Sequence, residues 1–294
     1  MANLKDISRQ IKSVKNTQKT TKAMKLVSSS KLRKTLELSE QAKSYALKIN
    51  EILSSITARI KAVRSEDNLD RAFVSNENPK TVDIVFVTAD KGLCGGFNMI
   101  TIKAVRKLIE EYSSKGVTVR LRAAGRKGID YFNFQEQELL DSVVGLTSAP
   151  TYEKATDFIS SLLGDFNDEV TDKVILVYNG FYNMLSQELK MNTLLPIAID
   201  TSKTFNPSSA IEIEPDDNDD ILHNLTSKYI DFSMYYSLID SLAAEHSARM
   251  QAMDSATKNA KEKVDNLTVE FNKARQAAIT TELIEIISGV ESMK

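Results

Sequence analysis

With one cysteine in 294 residues, Cys94, the chain can form neither an internal disulfide nor a cysteine-based zinc cluster. Its two histidines, His223 and His246, stand far apart with no HExxH pattern near either, so no metal site and no resident cofactor are expected. Long hydrophobic runs are also missing. No window approaches the roughly 18 continuous apolar residues of a membrane span, and the start, MANLKDISRQ, lacks the apolar stretch of a secretion signal. Residence in the cytoplasm, or facing it, is the expectation. Glycine and proline are absent over two long regions: the first proline is Pro79, the first glycine is Gly92, and neither occurs between Pro215 and Gly289. Both residues interrupt helices, so those regions are free to form long ones. What is present is ample apolar material, 42% of the chain, at a net charge of -2, enough for a packed core plus extended elements.

In the first region apolar residues recur at alternating steps of three and four: Leu4, Ile7, Ile11, Val14, then Ala42, Tyr45, Ile49, Ile52, Ile56, Ile60 and Val63. This is a heptad seam. Gln18 and Thr21 intrude on it, and the apolar register is expected to move there to Met24 and Val27. The last region keeps one register through Leu222, Leu225, Tyr229, Phe232, Tyr236, Ile239, Ala243, His246, Met250, Met253, Thr257, Ala260, Val264, Leu267, Phe271, Ala274 and Ala278. At 1.5 Å per residue the first helix would run about 95 Å and the last, from Asp216 to Ser288, about 110 Å. Pro215 and the acids Asp216, Asp217, Asp219 and Asp220 suit the start of that last helix. Connectivity sets direction: the first helix enters the middle region by its C-terminal end and the last leaves it by its N-terminal end, so the pair is antiparallel with both chain termini at one tip. On periodicity alone this is a helical hairpin that serves as a spacer or dimerisation arm, or as something more active.

Between the helices, Thr81–Ala89, Val117–Ala123, Lys173–Tyr178 and Leu194–Ile199 read as strands, and Phe97–Lys115 and Tyr152–Asp165 as helices. The pattern from Arg126 to Leu146 fixes no register. The fold class is therefore α/β: a long antiparallel two-helix coiled coil plus a central Rossmann-like domain with a small, mostly parallel sheet. The expected division is 1–78, N-terminal helix and linker; 79–209, central domain; 210–294, C-terminal helix.

Two regions could carry function. Asp90-Lys91-Gly92-Leu93-Cys94-Gly95-Gly96-Phe97-Asn98 leaves a strand and enters a helix, and glycines in that setting can cradle phosphate. The spacing is neither GxxxxGK[ST] nor GxGxxG, and a tight turn that lets helix and sheet approach closely explains Gly92, Gly95 and Gly96 equally. Cys94 has no histidine in this domain to pair with and reads as a small buried residue. The second region is the tip. Residues 1–34 hold Lys5, Arg9, Lys12, Lys15, Lys19, Lys22, Lys25, Lys31, Arg33 and Lys34 against one acid, Asp6. Such a stripe needs an acidic partner, and nucleic acid is one candidate, although no aromatic residue precedes Tyr45 to stack on bases. At the other end Ile279, Leu283, Ile284, Ile286, Ile287 and Val290 cover about 160° of helix surface, wider than a two-helix seam uses. Either the tip caps against its own neighbour helix or something else encloses it.

LKDISRQIKSVKNTQKTTKAMKLVSSSKL (Leu4–Leu32), DKGLCGGFN (Asp90–Asn98) and the stretch from ARMQAMDSATKNAKEK to GVESMK (Ala248–Lys294) resemble, in order, the three signatures of the gamma-subunit family of bacterial-type F1 ATP synthases. The resemblance implies a non-catalytic rotor. Its coiled coil would be the central stalk inside a hexamer of alternating alpha and beta subunits, and its α/β domain would sit against the epsilon subunit and the c-ring of Fo. The chain would be peripheral to the cytoplasmic face of the inner membrane and bind no nucleic acid. Proton-driven rotation would then be coupled to ATP synthesis, or hydrolysis to pumping. Carried over position by position, coupling contacts with the hexamer fall on Met24, Lys25, Arg275, Gln276, Thr280 and Glu282, with Leu283, Ile286 and Ile287 in the sleeve. The basic stripe of Lys12, Lys15, Lys19, Lys22, Lys31 and Arg33 would face acidic beta-subunit loops. The regulatory dithiol insert of the chloroplast form is absent, Cys94 being the only cysteine, and the tail GVESMK departs from the family's commonly small, apolar ending.

Overall fold

A computed structural model describes residues 4–63, 71–74, 76, 78–197 and 218–293, with no account of the side chains of 50, 54–63 and 218–222. In chain order the elements are α1 (Leu4–Val63), a 3-10 turn (Arg71–Phe73), β1 (Thr81–Val87), α2 (Phe97–Ser114), β2 (Thr118–Ala124), α3 (Arg126–Phe134), β3 (Asp141–Val143), α4 (Tyr152–Asn167), β4 (Lys173–Phe181), β5 (Gln187–Leu195) and α5 (Asn218–Glu291). The two breaker-poor regions are thus two very long helices, of 60 and 74 residues. The expected boundary after residue 209, Pro215 and the acidic helix start at Asp216 and Asp217 lie outside the described residues, as do the side chains of Asp219 and Asp220. The chain divides into two compact units, Met1–Ser29 with Arg249–Lys294, and Ser30–Ala248.

In the first unit α1 and α5 pair antiparallel, since Thr21 meets Thr257 while the later Lys25 meets the earlier Asp254. Ile7 and Thr21 on α1, and Met253, Ala260, Val264 and Leu267 on α5, are buried along the seam. The expected shift of register to Met24 and Val27 does not occur. Burial instead continues in unbroken three-four steps through Gln18, Thr21, Lys25 and Ser28 and on to Leu32 and Thr35, while Val27 is 56% exposed. Short hydroxyls are cheap to bury in this way because each can bond the carbonyl one turn back, as Thr21 does to Gln18 and Thr35 to Lys31. Tyr45, placed in the seam by pattern, belongs to the second unit, where it is 52% exposed and meets Phe232 with rings tilted by 56° and centroids 4.4 Å apart.

The second unit holds a five-stranded sheet of order β3-β2-β1-β4-β5. Pairs β1–β2, β1–β4 and β2–β3 are parallel and β4–β5 is antiparallel. Alternation along β1 sends Ile84 and Phe86 to one face, against Ile102 and Val105 of α2 and Phe132 of α3, and Val85 and Val87 to the other. That second face is covered by Phe158, Ile159 and Leu162 of α4 and by Ile230, Met234 and Leu238 of α5. The last strand begins at Gln187 rather than Leu194, and residues 198–199 of the expected strand lie outside the described residues. β5 is an edge strand, half exposed and carrying Gln187, Glu188, Lys190, Asn192 and Thr193, so it lacks the apolar run that marks the buried strands. The stretch without a readable register is α3 followed by the three-residue β3.

Candidate functional site

The glycine-rich loop stands at the C-terminal ends of the central strands, where β1 leads by a crossover to β2 on one side and β4 turns back by a hairpin to β5 on the other. In open α/β sheets such a crevice is where ligands bind. Here the chain's own helix fills it: Cys94 and Phe97 pack with Ala89, Phe181 and, from α5, Ala244 and Ala248. The loop turns tightly through Leu93 (φ 63°) and Gly95 (φ 59°), with Gly96 capping α2. Asn98 ties it down by accepting the Ala89 N–H at 2.8 Å and donating to the Cys94 sulfur at 3.3 Å. Cys94 itself is 2% exposed. Asp90 closes the loop from the other side, accepting the N–H of Arg126 and of Gly145 and the hydroxyl of Thr147. α5 covers the loop's Cys94 and Phe97, whereas Gly95 and Gly96 are exposed and nothing stands within 4 Å of where a Gly96 Cβ would lie; the positive φ of Gly95 is what the tight turn itself requires.

The other expected site residues fall into two groups. Lys25 bonds Asp254 at 2.6 Å, and Asp254 also pairs with Lys258 at 3.0 Å. Hydrogen bonds from Lys25 and Lys258 hold the Asp254 carboxyl below its ordinary value. Met24 is half-buried at the same level. Arg275, Gln276, Thr280, Glu282, Leu283, Ile286 and Ile287 lie on α5 beginning about 30 Å further along the helix. The structure does not bring these two groups together.

Past Ala274 every described residue of α5 is exposed. Ile279, Leu283, Ile284, Ile286, Ile287 and Val290 are 49–63% exposed, so nothing among the described residues covers the apolar surface of this helical end. The alternative that the tip caps against its neighbour helix is not what the structure adopts. Thr280 turns its hydroxyl back to the Gln276 carbonyl at 2.9 Å. Lys12, Lys15, Lys19 and Lys22 each follow a seam position by one residue, which sets them in a row along one exposed flank of α1. Lys31 and Arg33 are exposed too, Arg33 within 3.8 Å of Glu37.

Two charged clusters escaped the sequence reading. Asp83, fully buried on β1, accepts Arg120 at 2.6 and 2.7 Å, while Arg120 and Arg122 of β2 both reach Asp165 of α4. On the other side of the sheet centre, Asp240 of α5 pairs with Lys190 of β5 at 2.6 Å. Arginines at alternate strand positions were the available signal for the first, but spacing within one strand does not identify a partner on another.

A family model described as ATP synthase matches residues 3–293. The chain is similar to the ATP synthase gamma chain of Aliarcobacter butzleri (strain RM4018), 65% identical with both chains covered in full. It is 59% identical to that of Campylobacter curvus (strain 525.92), again over the whole of both. Among solved structures it is similar to a chain of the Tetrahymena thermophila mitochondrial ATP synthase central stalk and c-ring, at TM-score 0.61 and 25% identity over 81% of this chain and 99% of that one. A chain of the Euglena gracilis mitochondrial enzyme shares the fold at TM-score 0.69 and 16% identity, covering 99% of this chain and 94% of that one.

Proposed function

Because the chain belongs to the ATP synthase family, among its gamma chains, we propose that it turns as the central-stalk rotor of the F1 sector and couples proton-driven c-ring rotation to ATP synthesis, or hydrolysis to pumping. It carries no catalytic group of its own in this reading. The nucleotide chemistry belongs to alpha and beta subunits, whose hexamer encloses the end of α5. Arg275, Gln276, Thr280 and Glu282 meet the hexamer near one end of the enclosed segment and Met24 with Lys25 lower down, the separation between the groups giving two levels of contact along one axis. The α/β domain, residues 79–209, takes the epsilon subunit and the c-ring, which holds the chain at the cytoplasmic face of the inner membrane. No helix among the described residues is long and apolar enough to cross a membrane, in keeping with attachment through partners.

The observation that carries this reading is the apolar end of α5. Six large aliphatic side chains on one bare helix would be costly to leave in water, at roughly 25 cal/mol per Å² of apolar surface. A sleeve that surrounds the helix removes that cost without fixing an angle, which suits a part that must turn. Truncation of the full chain from Leu283 tests it. The shortened chain is expected to copurify with alpha and beta subunits yet drive less proton pumping per ATP hydrolysed; equal coupling by the shortened and full chains would overturn the assignment of the tip.

A further inference from the structure

A rotor must pass twist between its sheet domain and its helix, and this inference rests on that reading. Where α5 crosses the sheet, Ile230, Met234, Leu238, Ala244 and Ala248 are buried against the strands and loops, and polar residues such as Ser237, Asp240, Ser241 and Ser247 are buried along the same stretch. Dispersion and hydrophobic contact resist separation, but they have little direction about the helix axis. Directional bonds set the angle. Two of them come from the β4–β5 hairpin: Asp240 pairs with Lys190, and the Ser247 hydroxyl donates to the Met184 carbonyl at 3.1 Å. The two α5 residues are about two turns apart and so lie on one face.

Asp240 is the more specific of these. Its side chain is 4% exposed, one oxygen accepting Lys190 Nζ at 2.6 Å and the other the Phe181 N–H at 3.2 Å. Lys190 is held in turn above the ring of buried Tyr178, 5.7 Å from its centroid, on the residue that faces it across the strands. The carboxylate fits only because position 180 has no side chain. A Cβ there would stand 2.5 Å from Asp240 Oδ2 and 2.8 Å from Lys190 Cε. A buried charge, a buried acceptor for a strand-end N–H and a missing side chain converge on one seat. Helix packing alone calls for none of them.

We propose that Asp240, seated over Gly180 and bound by Lys190 and the Phe181 N–H, is the positioning residue that keys α5 to the sheet and carries twisting load between them. The test uses the assembled ATP synthase in inverted membrane vesicles, comparing ATP hydrolysis with uncoupler, where the rotor is unloaded, with ATP-driven proton pumping against an imposed gradient. For Asp240→Asn and Gly180→Ala, unloaded hydrolysis is expected to stay within about twofold of wild type while pumping under load falls about threefold or more. Lys190→Arg, which keeps the charge, should pump like wild type. Lys190→Gln removes the same bond from the half-exposed edge strand, and supplies the measurement if Asp240→Asn or Gly180→Ala fails to fold. Wild-type pumping under load by variants that fold, or loss of unloaded and loaded activity in equal measure, would overturn the key. Neither outcome touches the rotor reading, which fails instead if the wild-type chain does not assemble with alpha and beta subunits.

Discussion

Asp90 shows how one side chain can organise a region that periodicity leaves blank. Burial pushes its carboxyl up, but the N–H groups of Gly145 and Arg126 and the hydroxyls of Thr147 and Ser148 outweigh that and hold it below the ordinary value of 3.8. It joins the turns after β1, β2 and β3, so loops that are distant in sequence share one acceptor. Removing it leaves two N–H groups short of a partner, and Asp90→Ala is expected to cost about 2–3 kcal/mol in denaturant melts at neutral pH. The pH dependence follows from a carboxyl that is more acidic in the folded chain. Its stabilisation is complete above the unfolded value and is lost as pH falls through the lower folded one. The gap in stability between wild type and Asp90→Asn should therefore be largest above about pH 5 and close below about pH 4; a gap constant across that range would show that the charge is not what matters. The sequence offered Asp90 only as the first residue of a glycine loop. Its partners at 126 and 145 lie in the stretch with no readable register and 147 just past it, and Asp83, inside a strand of aliphatic residues, gives no local hint that Arg120 will meet it.

At the scale of elements, helices were the most legible and the edge strand the least. Missing breakers and a three-four repeat specify a helix and its buried side from local sequence, so α1 and α5 come out within a few residues of their expected ends. Strands buried on both faces announce themselves by continuous apolar runs, whereas β5, wet along one edge, does not. Apolarity also misled within α1, where Val27 looked like a better seam residue than Ser28. A helix cannot shift its buried face for one valine when its neighbours on both sides are already committed, and the flanking hydroxyls of Thr21 and Thr35, bonded to their own backbone one turn back, cost little to enclose. The isolated chain distinguishes the two registers. Leu32, 1% exposed, should cost about 2–4 kcal/mol when changed to Ala. Val27→Ala should stay within about 0.5 kcal/mol. Comparable losses in thermal or denaturant melts would restore the shifted register.

For the molecule as a whole, the near-neutral total of -2 conceals a strong segregation of charge. The exposed flank of α1 carries Lys12, Lys15, Lys19 and Lys22 without an acid between them, while Lys25 is drawn into the seam by Asp254. A row of solvated lysines contributes little to the strength of any one contact, because exposed pairs are worth about 0–1 kcal/mol and are screened by salt. Its reach is longer than a hydrogen bond, about 10 Å at 0.1 M salt, so its effect falls on approach rather than on residence. On the proposed rotor reading this suits a helix that passes acidic beta-subunit loops on its way into the hexamer and then turns, since Coulomb attraction from flexible stems sets no preferred angle, whereas bidentate arginine pairs would. Changing all four lysines to Gln is accordingly expected to slow association with purified alpha–beta hexamer about tenfold at low salt, and to flatten the dependence of that rate on ionic strength. Dissociation, governed by the apolar end of α5, should change by less than about twofold. Stopped-flow mixing at a series of salt concentrations separates the two rates. If the quadruple variant associated as fast as wild type but dissociated faster, the lysines would be making fixed contacts, and the stripe would belong to the grip of the partner instead of to the encounter.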